Sequence, residues 1–218
     1  MHELRIIDWK MLTEFIENTV VNFPDVTANF IQYRGQSDVT WKLVPSLTRI
    51  VLEDEVSMGK AIGYESQATL DFIAQVHLLD PKISYNNNQD TSSMYVDMQH
   101  YSCPTRLLDW TQSPYVALYF AVSDCFNSNG ALFVWDWRVY KRNYKEMYPN
   151  DKEIKGIDIL KYKDRDIVEL IFATKLNERI VRQQGCFSVS NNILKTHDDI
   201  VTDVAKESGK PSGLYKLE

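Results

Sequence analysis

Met98-Gln99-His100-Tyr101-Ser102-Cys103-Pro104-Thr105-Arg106-Leu107-Leu108-Asp109-Trp110-Thr111-Gln112-Ser113-Pro114 decides how this chain is read. It sets an acceptor, an imidazole, a guanidinium and a carboxylate (Gln99, His100, Arg106, Asp109) on a proline-stiffened loop. An apolar helix then begins abruptly, with Ser113 as N-cap and Pro114 at its first position. Tyr115 to Val122 is small and apolar enough to be buried. The free N–H groups and positive dipole end of that helix make a ready anion seat beside the polar side chains.

On the N-terminal side, Asp8 can cap a helix over 8–21 in which Trp9, Leu12, Ile16 and Val20 recur at helical spacing. Asn22 to Pro24 ends it. Phe30 to Arg34 reads as a short strand stopped by Gly35, with a polar turn at Gln36-Ser37-Asp38. Trp41 to Leu47 is irregular around Pro45. A helix over 62–79 carries Ile62, Glu65, Thr69, Phe72, Val76 and Leu79 on one stripe. Glu65 on that stripe calls for a cation, and Arg34, Arg49 and Arg106 are the candidates.

On the C-terminal side, the helix over 114–123 leads through Asn127 to Gly130 into a strand at Ala131 to Trp135. Residues 138–166 read as a surface connection with at most one helix. Asp166 to Ala173 looks like a central strand, and Cys186 to Ser190 like another after Gly185. Leu214 to Glu218 reads as the start of a further strand, so the domain is expected to be incomplete or to continue in a longer parent.

The 218 residues suit one domain, 1–218. A net charge of -6 argues against electrostatic wrapping of nucleic acid but permits a nucleotide-sized anion held by one or two arginines. Three scattered cysteines and four scattered histidines predict neither a disulfide framework nor a metal site. With no signal-like segment and no long apolar run, the chain is expected to be cytoplasmic and off the membrane. Lipase-type GxSxG, HExxH, Walker and GxGxxG motifs are absent.

Each polar candidate has two readings. Arg34 is a surface residue at a strand end, or it grips phosphate or ribose oxygens while Gly35 lets the backbone approach a ligand. His100 is a core histidine or a site residue. Arg106 and Asp109 form a mutual ion pair bracing the loop, or belong to the site. Arg179, Gln183, Gln184 and Gly185 set polar side chains before a buried strand, and the neutral glutamines cannot act as general bases.

Tyr33-Arg34-Gly35-Gln36, Trp41 to Arg49 and Glu65 resemble the first part of the FRG domain family. Gln99-His100-Tyr101, Pro104 to Thr111 and Ser113-Pro114 with Ala117 to Ala121 resemble its second motif, and Arg179-Ile180, Gln183, Gly185 and Phe187 its third. This covers about residues 30 to 190, the core of the domain. More distantly, the chain is similar to arginine-type ADP-ribosyltransferases. These have a strand ending in Tyr-Arg-Gly, a Ser-Thr-Ser strand before a Val-Ala-Leu-x-Phe-Ala helix, and a Glu-x-Glu loop. Arg34 and Val116 to Ala121 match, Asp109-Trp110-Thr111 stands where Ser-Thr-Ser would, and the Glu-x-Glu position is departed from.

That second resemblance implies an α+β fold with a split core of two small, mostly antiparallel sheets ringed by helices, the cleft lying between the sheets. It also implies an NAD-dependent ADP-ribosyltransferase-like enzyme, NAD being substrate. The acceptor would be a protein or nucleic acid, and the role that of a toxin or antiphage effector with a partner or cognate inhibitor. Arg34 would bind NAD with Tyr33, Gly35, Gln36, Arg106, Trp110, Ser113 and Arg179. His100 would lie on the adenosine side, Asp109 or Glu178 would stabilise the ribosyl cation, Gln183 would position it, and Arg106 would pair with Asp109. A carboxylate beside a developing oxocarbenium ion contributes by electrostatic preorganisation. The alternatives are a non-catalytic nucleotide-binding regulatory module, and phosphodiester hydrolysis using His100.

Overall fold

A computed structural model describes residues 1–6, 8–21, 30–83, 85, 91–124, 127–151, 156–161, 164–172 and 182–218. The elements run β1 (His2–Leu4), α1 (Trp9–Val21), β2 (Ile31–Gln36), α2 (Ser46–Glu53), α3 (Met58–Leu79), α4 (Thr91–His100), β3 (Leu107–Thr111), α5 (Pro114–Val122), β4 (Ala131–Asp136), α6 (Trp137–Met147), a 3-10 turn (Gly156–Lys161), β5 (Val168–Ile171), β6 (Gly185–Ser190), α7 (His197–Ser208) and β7 (Leu214–Leu217). No described helix is long and apolar enough to cross a membrane.

Among the described residues, all seven strands join one sheet, in the order β1-β7-β4-β2-β3-β6-β5. Every pair is antiparallel except β1 with β7. The expected pair of separate sheets is therefore corrected to a single one. Its halves meet weakly: β2 and β3 share the one register pair Tyr33 with Thr111, whereas β2 and β4 pair along six residues. The tail predicted as a strand is β7, lying between β4 and β1.

Side-chain alternation divides the core. On one face Phe133, Trp135, Leu108, Trp110 and Leu170 pack against Tyr140 of α6 and Ile200, Val201 and Val204 of α7. On the other face there are two clusters rather than one. Tyr33, Leu132 and Val134 pack under α1 and α5, while Leu107, Phe187 and Val189 pack under α4 and the 3-10 turn. The seam between β2 and β3 separates them.

Other expectations are refined. Asp8 does cap α1, accepting the Met11 N–H at 2.8 Å. The stripe on α3 is Ala61, Glu65, Phe72 and Val76, and Ile62 and Leu79 are exposed. The 138–166 connection is not wholly superficial, because Tyr140 and Ile159 are buried in the core. Strand β2 runs through Gly35 to Gln36 instead of stopping. A Cβ at Gly35 would lie 1.7 Å from the Ala117 carbonyl oxygen, so α5 rests its backbone directly on the strand.

Beneath α7 lies a buried polar chain. Trp110 Nε1 donates to Ser188 Oγ at 2.8 Å, and the Ser188 hydroxyl shares a further hydrogen bond with His197 Nδ1, also 2.8 Å away. Burial, with the charges of Arg34 and Arg106 nearby, holds the His197 pKa down to about 3, from the ordinary 6.5. The unfolded chain therefore takes up a proton below 6.5 that the folded one refuses until about pH 3, and stability falls as pH falls across that window. Above 6.5 the group contributes no slope. Urea titrations at pH 7 and pH 5 should give wild type an acid loss larger than that of His197→Gln by on the order of 2 kcal/mol. Equal losses would remove His197 from the acid response.

Candidate functional site

The two halves of the sheet part beyond the Tyr33–Thr111 pair, and a cavity of about 450 Å³ lies there. Tyr33, Arg34, Gly35 and Gln36 of β2 and Asp109, Trp110 and Thr111 of β3 line it. Trp41 and Lys42 come from the segment leading into α2, Arg49 from α2 itself, Gln99 from α4, Phe120 from α5, and Gln183 from the approach to β6. By alternation from the Tyr33–Thr111 pair, Asp109 belongs to the face of Tyr33 and Arg34 to the opposite one. Only the parting of the strands lets both reach one hollow.

Arg34 bridges that parting. Its Nη1 donates to the Asp109 carbonyl oxygen at 2.7 Å, and its buried Nε meets no described acceptor. Burial pushes the Arg34 pKa down, the Asp109 charge pulls it up, and the Arg49 guanidinium pushes it down again. Among the described residues no carboxylate forms an ion pair with Arg34 or Arg49, whereas Arg106, Arg138 and Arg165 each have one. Two guanidiniums facing one hollow with no carboxylate paired to either repel each other, and an anion between them would relieve this.

Asp109 stands in a short relay. Its Oδ2 accepts from Gln99 Nε2 at 2.9 Å, Gln99 Oε1 accepts from Thr105 Oγ1 at 2.5 Å, and Thr105 Oγ1 accepts the Leu107 N–H at 3.1 Å. This fixes the carboxylate relative to the start of its own strand. Thr111 Oγ1 donates to the Gln183 carbonyl at 2.5 Å, and Gln112 donates from its backbone to the Gln184 carbonyl at 3.1 Å. These bonds bring Gln183 to the wall. Gln184 takes a left-handed φ of 47° just before β6 begins.

Of the residues expected to act, Tyr33, Arg34, Gly35, Gln36, Asp109, Trp110 and Gln183 meet at the cavity. Glu178 and Arg179 lie outside the described residues. Arg106 is placed otherwise than expected. It does not pair with Asp109; its Nε donates to Glu65 Oε1 at 2.5 Å and its Nη2 to Oε2, while Nη1 donates to the carbonyls of Ser190 and Asn191, both at 3.1 Å. It is a buried brace. His100 is neither in the core nor in the cavity: it is exposed at the end of α4, edge-on to Tyr101.

Ser113 caps α5 as expected, accepting the Val116 N–H at 3.4 Å. Its own N–H goes to Thr111 Oγ1 at 3.0 Å, and the cavity is lined by Val116, Ala117 and Phe120 along the helix side rather than by the helix end. Trp110 is mainly a core residue, stacked obliquely on Trp135 and bonded to Ser188. Gly35 lines the cavity, and the space that a Cβ would take there is filled by the backbone of α5. Trp41 and Arg49 are wall residues that the reading of single motifs missed. Both lie in the Trp41–Arg49 segment, and both are exposed. Among the described residues no group of three or more metal-ligating side chains gathers here or elsewhere.

Fold and site together describe a mixed α/β protein with a polar cavity at the weak seam of one mostly antiparallel sheet. Residues 29–130 match the family model of the FRG domain, just under half of the chain. The match includes β2, the Trp41–Arg49 segment, β3 and α5, and so most of the cavity wall; Gln183 lies beyond it. No curated protein and no solved structure gives a significant match, and the resemblance to ADP-ribosyltransferases has no counterpart among these comparisons.

Proposed function

We propose that the cavity binds a nucleotide carrying a diphosphate, of the NAD kind, and that the protein transfers its ADP-ribose to an acceptor. The observation that carries this reading is that Arg34 and Arg49 line one hollow together with Asp109, and that neither arginine forms an ion pair with a carboxylate among the described residues. The arginines take the diphosphate, as forked donors suited to phosphate oxygens. The C1′–N bond to nicotinamide breaks with its electron pair leaving on the ring nitrogen, which loses its positive charge. Asp109 stabilises the ribosyl cation by charge. The acceptor's nucleophile then bonds to C1′ and gives up its proton to solvent.

Calorimetry with NAD and an assay for released nicotinamide test this. Arg34→Ala should weaken NAD binding by roughly 10- to 100-fold, the loss of charge-assisted hydrogen bonds. Asp109→Asn should retain binding and lose at least about tenfold in nicotinamide release. Unchanged affinity in Arg34→Ala would remove the arginine from the site. A second reading, a binding module without turnover, is favoured by two features: the Asp109 carboxylate is already held by Gln99, and a neutral Gln183 stands on the wall. Tight NAD binding with no nicotinamide release would select it.

A further inference from the structure

Gln36 is 6% exposed, lines the cavity, and has one half of its amide committed. Its Nε2 donates to the Lys42 carbonyl at 3.2 Å, which fixes the orientation of the group, since a flipped amide would set oxygen against oxygen. The other half, Oε1, is buried and receives no hydrogen bond from any described residue. A buried acceptor left without a donor is costly, and a small shift of the amide toward the cavity would let an entering group donate to it. The bond to Lys42 also ties Gln36 to the residue after Trp41. That indole lines the same cavity and is 50% exposed, an aromatic face open to a ring.

An exposed aromatic face and an amide acceptor lining one cavity are the chemistry that reads the edge of a heteroaromatic group. We infer that Gln36 determines specificity by accepting a hydrogen bond from an amino group on a ring stacked at Trp41. An acceptor-only atom welcomes an N–H₂ and rejects the oxo or carboxylate oxygen that replaces it. This inference rests on the nucleotide reading above and deepens it. In a dinucleotide of the NAD kind two groups offer that chemistry, the 6-amino group of adenine and the carboxamide of nicotinamide.

Three probes separate the sources: NAD, its hypoxanthine analogue in which the adenine amine is an oxo group, and its nicotinic acid analogue in which the carboxamide is a carboxylate. Calorimetric affinities for the full chain should fall at least about tenfold for one of the two analogues, and that one names the ring over Trp41. In Gln36→Leu, checked for folding by circular dichroism, NAD should weaken and the gap between it and that analogue should shrink to about twofold. If Gln36→Leu fails to fold, the wild-type series decides alone. Equal affinity of all three probes for wild type would overturn this inference and leave the nucleotide reading standing. Binding of none of them would overturn both.

Discussion

Gly35→Ala should be among the most destabilising single substitutions in the cavity wall. The added Cβ would sit 1.7 Å from the Ala117 carbonyl oxygen and 2.6 Å from the Ala121 nitrogen, both backbone atoms of α5. No side-chain rotation relieves such a contact, so the helix must lift off β2. That opens the packing of Ala117 against Tyr33, Leu132 and Val134. A loss of about 3 kcal/mol or more follows, at the upper end of what overpacking causes. For a chain of this size that is a fall in melting midpoint of roughly 6–12 °C. Gly63→Ala is the control, because a Cβ there meets nothing within 4 Å in the interior of α3. It should leave stability unchanged or raise it by about 0.5–1 kcal/mol. If Gly35 instead served close approach of a ligand, Gly35→Ala would melt like wild type and fail only in NAD binding. Melting curves and calorimetry on both variants separate the two roles.

That experiment touches the most instructive difference between sequence and structure. Tyr33-Arg34-Gly35 places a glycine beside an arginine, and ligand approach is the obvious use for it. The pressure that fixes the glycine comes from a helix some eighty residues later, and no local pattern can reveal a contact across that separation. The helix itself is legible. Ser113-Pro114 marks its start because capping and a fixed proline φ are local physics, and the cap is formed. The strand at Ala131 to Trp135 is equally plain, since both its faces are buried and its sequence is continuously apolar. The pairing order of the sheet is a different matter. It depends on which faces are covered by which helices, and a chain read one segment at a time carries no such information.

The site follows the same division. Arg34, Gln36, Asp109 and Gln183 share one hollow, and each could be picked out by residue type and by neighbouring turn signals. His100 could not be sorted, because an imidazole at a helix end looks the same whether it faces inward or outward; here it faces out. Arg49 was among three candidate partners for Glu65. Arg106 pairs with that carboxylate, and Arg49 lines the cavity.

Glu65→Ala should produce the second large loss, and it tests that assignment. Glu65 and Arg106 are 8% and 5% exposed and meet through two parallel hydrogen bonds. Truncating the carboxylate leaves a guanidinium buried with the Ser190 and Asn191 carbonyls as its hydrogen-bond partners among the described residues. Breaking a buried pair in this way costs about 3–5 kcal/mol, most of it the uncompensated charge. Removing both charges together, in Glu65→Leu with Arg106→Met, should recover a large part of the loss, since the pair itself is worth far less than one stranded member. Recovery should stop short of complete, because those two carbonyls lose their donor. Asp109→Asn sets the contrast. Were Arg106 answering Asp109, as adjacency in sequence suggests, that substitution would be the damaging one and Glu65→Ala the mild one. The geometry reverses the order: Asp109 is held by the neutral Gln99, so its amide analogue should melt within about 1 kcal/mol of wild type. Urea titrations of these variants, with Glu65→Leu and Arg106→Met each measured alone, close the cycle. A Glu65→Ala midpoint equal to that of Asp109→Asn would place the brace elsewhere.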